Sequence, residues 1–272
     1  MRVDDSWCRE ALALLPGGNY LIASLDRTYS HDECGQFDFI VSCTTGTDHI
    51  DNRGIQLISL QGEADFLSGI WATAEHTWAL ILSLIRKVPW AFEDVKAGNW
   101  NREAWQGTEL RGKTLGIVGH GRVGRQVENI AKAFGMPVYI SDPKHFIFYT
   151  FEYMLGRSDL VTIHVPLTDE TRGMFGEREF KLMKPTAYFV NTSRGGVVDE
   201  SALLDALERG WIAGAALDVV CDEPNINPEL LEYAGTNSNL ILSPHLGGNT
   251  VESRKNTQRF VAEKIRKYIG GG

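Results

Sequence analysis

The chain is predicted to be an α/β protein, a doubly wound parallel sheet with a second, smaller α/β domain, on three observations. From Lys113 onward, short apolar runs rich in strand formers alternate with amphipathic helical patterns, the signature of βαβ units. A glycine-rich turn, Gly119-His120-Gly121-Arg122-Val123-Gly124, stands between one such strand and helix. Before Lys113 the pattern changes character, and 272 residues suffice for two modest domains.

Tyr20 to Leu25 and Phe37 to Ser42 read as strands, and Ala72 to Lys87 reads as a long apolar helix halted by Pro89. Trp90 to Gly112 carries Trp90, Trp100 and Trp105 without clear periodicity. It is expected to be an extended arm whose aromatics suit a subunit interface, or else fold back on their own domain. The strands that come after it are Thr114 to Val118, Val138 to Ile140, Leu160 to Val165, Ala187 to Asn191, Ala213 to Leu217 and Leu240 to Leu242. Arg122 to Phe134 places Val123, Val127, Ile130, Ala131 and Phe134 on one face, with Gly135 as the stop; Asp199 to Arg209 does the same ahead of Gly210. The last helix, Val251 to Tyr268, is expected to return to the first domain. The predicted division is residues 1–71 with 248–272 for the small domain and 72–247 for the nucleotide domain.

Composition narrows the function. A hydrophobic content of 43% supports a real core, and a net charge of -8 argues against sequence-independent nucleic-acid binding. Cys8, Cys34, Cys43 and Cys221 show neither CxxC spacing nor a disulfide framework, which points to a reducing compartment. The scattered histidines give no metal-ligand pair. Met1-Arg2-Val3-Asp4-Asp5 lacks the apolar core of a signal peptide, and the apolar stretch from Trp78 to Ile85 is far short of the roughly 20 residues that span a bilayer. The expectation is a soluble cytoplasmic protein with a small-molecule substrate, no nucleic acid and no membrane.

The glycine turn gains weight from its setting, since GxGxxG alone is common. Gly119 follows a strand directly and a helix opens near Arg122, so backbone at Gly121 can approach a pyrophosphate at the helix amino terminus. Asp142 ends the next strand. A carboxylate there would accept hydrogen bonds from ribose hydroxyls and repel a 2′-phosphate, favouring NAD over NADP.

Three further stretches close successive strands: Asn191-Thr192-Ser193-Arg194-Gly195-Gly196-Val197-Val198-Asp199-Glu200, Leu217-Asp218-Val219-Val220-Cys221-Asp222-Glu223-Pro224, and Ser243-Pro244-His245-Leu246-Gly247-Gly248. With the glycine turn, His164-Val165-Pro166-Leu167-Thr168 and Ala74-Glu75-His76-Thr77, they resemble the signatures of the D-isomer specific 2-hydroxyacid dehydrogenases over about residues 40 to 260. Gly46-Thr47-Asp48-His49-Ile50-Asp51 is similar to the substrate loop of the phosphoglycerate dehydrogenase branch. The resemblance implies a Rossmann NAD domain, a flavodoxin-like substrate domain and a homodimer. It implies Arg194, Glu223 and His245 as catalytic residues. The implied cofactor contacts are Gly119, His120, Gly121, Arg122, Val123, Gly124, Asp142, His164, Val165, Pro166, Thr171, Thr192, Ser193, Asp218, Gly247 and Thr77; the implied substrate contacts are Thr45, Gly46 and Arg27.

The chemistry of those residue types agrees. A guanidinium is a planar set of donors that can grip a carboxylate and polarise the carbonyl beside it. An imidazole can deliver a proton to the oxygen that gains charge as hydride arrives, and a carboxylate beside it would stabilise the charged ring and fix its orientation. The reaction so implied is hydride transfer between NAD(H) and a small D-2-hydroxy or 2-oxo acid. A second class stays open at this point, a dehydrogenase-like binding protein that senses NAD(H) without turnover. Glu223, where relatives that oxidise formate carry glutamine, disfavours formate. His164 can be a cofactor neighbour or a core histidine, and Arg27 a substrate contact or a solvated arginine. Three segments look short against the family: the first strand and helix, Asp51-Asn52-Arg53-Gly54, and Asp142-Pro143-Lys144-His145 running into Phe146-Ile147-Phe148. They leave it open whether the small domain has a complete sheet.

Overall fold

The computed structural model describes residues 7–25, 27–142 and 149–270. The charged start of the chain and the short-looking junction over 143–148 therefore lie outside the described residues. The chain divides into two compact units, Met1–Ala72 with Gly248–Gly272, and Thr73–Gly247.

The first unit opens with a short helix, α1 (Arg9–Leu12), and continues through β1 (Tyr20–Ala23), α2 (His31–Cys34), β2 (Phe39–Ser42), β3 (Gln56–Ile58) and α3 (Ala64–Ser68). The three strands form a parallel sheet in the order β1-β2-β3. β1 and β2 are buried throughout, so both faces must be covered, and each carries its own apolar cluster. Leu21, Ala23 and Ile40 pack with Tyr29, Cys34 and Ile50 on one side. Tyr20, Ile22, Phe39 and Val41 pack with Trp7, Ala11 and residues of the chain's last helix on the other.

The second unit begins with α4 (Ala72–Ile85) and α5 (Val88–Lys96), and then a 3-10 turn over Arg102–Trp105. Here the structure corrects the expected extended arm. Lys87 adopts a left-handed φ of 57° that ends one helix and turns the chain into the next. Pro89 sits in the first turn of α5, where its missing N–H leaves no bond unmade. Trp105 donates from Nε1 to Asp94 Oδ2 at 2.9 Å and Trp90 packs onto the core, so both fold back on their own unit; Trp100 is 87% exposed.

The chain continues through β4 (Leu115–Val118), α6 (Arg122–Ala133), β5 (Val138–Ser141), α7 (Phe151–Arg157), β6 (Leu160–Ile163), α8 (Glu177–Leu182), β7 (Tyr188–Asn191), α9 (Glu200–Glu208), β8 (Gly214–Leu217), α10 (Pro228–Thr236) and β9 (Leu240–Leu242). All pairings are parallel, in the order β5-β4-β6-β7-β8-β9. Side chains alternate between two cores: Leu115, Ile117, Val190 and Ala216 meet α4 and α6, while Val161, Ile163, Phe189 and Leu217 meet α7 to α10. Covered faces on both sides make the sheet doubly wound, as expected. The chain then re-enters the first unit as α11 (Val251–Ile269), whose Val261, Ala262 and Ile265 complete the cluster beneath β1 and β2. Among the described residues, no helix is long and apolar enough to cross a membrane.

Candidate active site

Strand order reverses between β4 and β6, since β5 lies on one side of β4 and every later strand on the other. In an open parallel sheet, that reversal opens a crevice at the strands' carboxyl ends. The glycine turn leaves β4 there and His164 leaves β6 there, with His164 N–H donating to Val118 O at 2.7 Å.

Each glycine of the turn has a distinct reason. Gly119 has φ +89°, and a Cβ on it would lie 2.9 Å from the His164 carbonyl carbon. A Cβ on Gly124 would lie 2.2 Å from Gly119 O, so only glycine lets α6 approach β4 this closely. Gly121, by contrast, has no atom of the described residues within 4 Å of an added Cβ. That opening fits the close approach of a phosphate group to a helix amino terminus. Asp142 accepts from His120 N–H at 2.6 Å, which turns its carboxylate toward the glycine turn. The His120 ring bonds to Glu128 Oε2 through Nε2 at 2.7 Å. Val123 packs inward on the α4–α6 core, and burial pulls the Arg122 guanidinium below its ordinary pKa.

His164 keeps part of its surface in reach of solvent, yet protein encloses the ring closely enough to govern its charge. Burial lowers its pKa to about 3, so the ring is neutral and is no proton donor near neutral pH. Val165 is buried beside it. Thr171 accepts from Thr168 N–H and donates to Pro166 O at 2.6 Å, holding the loop after β6. Thr77 and Thr192, both expected to face the cofactor, bond to each other at 2.8 Å, with Thr77 fully buried. Their hydroxyls tie α4 to the end of β7.

The expected catalytic residues come after β7, β8 and β9. Asn191 closes β7 and folds its amide back on the turn. Its Oδ1 accepts from Ser193 N and Oγ, and its Nδ2 donates to Arg194 O at 2.9 Å. Gly195 presses on the Val220–Cys221 peptide so tightly that a Cβ would lie 2.0 Å from Val220 C. The Arg194 turn and the Glu223 loop are thus in backbone contact. The loop after β8 is held from two sides, by Glu223 Oε1 accepting from Val220 N–H at 2.9 Å and by buried Glu200 accepting from Cys221 N–H at 2.6 Å. Asp222 at φ 57° and a cis Glu223–Pro224 bond complete it. Glu223 Oε2 then receives His245 Nδ1 at 2.7 Å. With Nδ1 so engaged, Nε2 is the ring nitrogen left for chemistry.

Beneath His245 lies Asp218, 1% exposed, which accepts from Ser243 Oγ, Leu246 N, Gly247 N and His76 Nε2. Burial pushes its carboxyl pKa up, but those donors outweigh it and hold the group below its usual value. Sequence reasoning missed Asn191, Glu200 and His76 as supports. Asn191 and His76 stand within quoted motifs and Glu200 in the first turn of a helix, but nothing in the sequence marked them as supports.

Of the expected substrate contacts, Thr45 and Gly46 lie in the first unit's loop after β2, where Thr44 Oγ1 donates to Gly46 O at 2.7 Å. Arg27 is committed to Glu33 through two bonds of 3.0 and 2.6 Å and lies over the Tyr29 ring.

Residues 78–247 match the model of the D-isomer specific 2-hydroxyacid dehydrogenase NAD-binding domain. The chain belongs to that family. D-3-phosphoglycerate dehydrogenase of Bacillus subtilis is 42% identical over 211 residues, 74% of this chain but 39% of the relative. The chain thus spans about two-fifths of that protein's length. A glyoxylate reductase of Thermococcus litoralis is 40% identical over 253 residues, covering 85% of this chain and 74% of the relative. Among solved structures, Aquifex aeolicus D-lactate dehydrogenase, complexed with NAD and lactic acid, superposes with a TM-score of 0.79 at 28% identity over 93% of this chain and 82% of that one. The second unit is therefore the family's NAD-binding domain, and the bare Gly121 in its turn is where that family membership and the local geometry agree.

Proposed function

We propose that the chain is an NAD-dependent oxidoreductase that interconverts a small D-2-hydroxy acid and its 2-oxo acid. The observation that carries the reading is the His245–Glu223 pair, bonded at 2.7 Å in the NAD-binding domain, on loops that leave the same sheet edge as the glycine turn. NAD, when bound, accepts or supplies the hydride. The glycine turn would hold its pyrophosphate, Asp142 its ribose, and the loops from His164 and Ser193 its nicotinamide half. His245 Nε2 gives a proton to the substrate oxygen in reduction and takes it back in oxidation; Glu223 fixes the ring and offsets its charge. Arg194 holds the substrate by its carboxylate and draws electron density from the carbonyl. The relatives' names, a glyoxylate reductase, a phosphoglycerate dehydrogenase and a D-lactate dehydrogenase, share this substrate class.

A homodimer is the assembly we favour. Val88, Phe92 and Val95 recur at helical spacing on α5 and are 52, 61 and 51% exposed, with Trp100 beyond them, an apolar stripe of the kind that association covers.

The test is oxidation of NADH by a panel of 2-oxo acids including glyoxylate, hydroxypyruvate and 3-phosphohydroxypyruvate. Turnover of at least one is expected; NADH binding with no consumption would sink the proposal. His245→Ala should lower kcat by roughly 10²- to 10⁴-fold while leaving NADH affinity nearly unchanged.

A further inference from the structure

His245 stands at φ 53°, in the left-handed region, which a side chain adopts only where its surroundings over-determine the backbone. The constraint converges on one group. Asp218 receives Ser243 Oγ at 2.6 Å from before the turn, and Leu246 N and Gly247 N, both at 2.8 Å, from after it. His245 N–H itself donates to Asp218 O at 2.8 Å. All of these donors belong to the segment being positioned, and the end of strand β8 supplies the acceptor. The remaining donor comes from elsewhere: His76 Nε2 in α4 lies 3.0 Å from Asp218 Oδ1 and 3.2 Å from Ser243 Oγ. Ser243 spends its proton on the same carboxylate, so His76 Nε2 meets only acceptors and carries its own proton. The helix behind it is rigidly seated, with Ala74 and Ile81 fully buried in the core.

We propose that His76 is a positioning residue for His245, anchoring the Asp218 carboxylate, and through it the catalytic turn, to helix α4. A buried carboxylate that loses one of its donors recovers it by shifting toward water or another donor. Here such a shift drags Leu246 and Gly247 with it, and His245 lies next to them in the chain. The inference rests on the role given to His245 above.

The experiment compares the unmodified chain with His76→Ala and His76→Gln, using whichever 2-oxo acid the unmodified protein reduces. A glutamine amide reaches the place of Nε2 and restores the donor. For H76A we expect kcat at saturating NADH to fall roughly ten- to a hundredfold, the loss that attends a small misplacement of a reacting group. H76Q should recover most of the lost kcat. Should H76A fail to fold, His76→Asn, whose amide is too short to reach Asp218, takes its place. Wild-type kcat in the shortened variant overturns the proposal, as does an H76Q no faster than that variant at equal Tm. The two readings separate cleanly: H245A inactive with H76A fully active refutes only the role of His76, whereas an active H245A refutes the acid–base assignment beneath it.

Discussion

The pairing of His245 Nδ1 with Glu223 at 2.7 Å shows how much of the candidate chemistry depends on single atoms. Sequence placed both residues after successive strands but said nothing of which ring nitrogen would be engaged. Asp142 was equally legible as a strand-closing acid, and its 2.6 Å bond from His120 N–H holds the carboxylate beside the glycine turn. Asp142→Ala should therefore erode the preference for NADH over NADPH, read as the ratio of kcat/KM for the two cofactors; an unaltered ratio moves discrimination elsewhere. Thr77 and Thr192 could not be judged in this way. A threonine in a motif looks the same whether or not its hydroxyl bonds another threonine 115 positions away, as that of Thr77 does.

Strands β4 to β9 begin and end close to where their apolar runs do, because a buried parallel strand must be apolar along its length. Helices α6 and α9 were legible from one continuous face and a closing glycine. α5 was not, since its apolar side faces outward and a proline and a left-handed lysine locally imitate a loop. Between the elements, the decisive contact is that of Gly195 with Val220 and Cys221. Gly195→Ala should push the Arg194 turn off the Glu223 loop. We expect a loss of about 1–3 kcal/mol of stability from overpacking, and a fall in kcat/KM at saturating NADH larger than that of Gly121→Ala. Chemical denaturation and steady-state kinetics check the two parts, and a fully active, fully stable G195A would show the contact to be idle.

The acid stability of the folded chain should carry the mark of His164. Its folded pKa of about 3 lies below the ordinary value near 6.5, so the unfolded chain binds the extra proton first. The stabilisation of the neutral ring is fully present above pH 6.5 and is lost progressively as pH falls from there toward the folded value of about 3, by at most about 1.4 kcal/mol per pH unit. Asp218 and Asp159, held below their usual range, act in the same direction but only near and below pH 4. His164→Gln should consequently flatten the stability profile between about pH 6.5 and 4.5, measured by denaturant midpoint; a profile as steep as that of the wild type would mean that the ring titrates freely in the folded state.

The order of the strands along the chain, the glycine turn and the chemical types after each strand come from the amino-acid sequence alone, because alternation, helix stops and turn residues act between near neighbours. What the sequence could not express is which polar groups spend their hydrogen bonds on one another. His76 and Asp218 are 142 positions apart, as are many pairs that never touch. Only the packing of α4 against the sheet brings that imidazole to a buried carboxylate, where each donor offsets part of the cost of burying the charge.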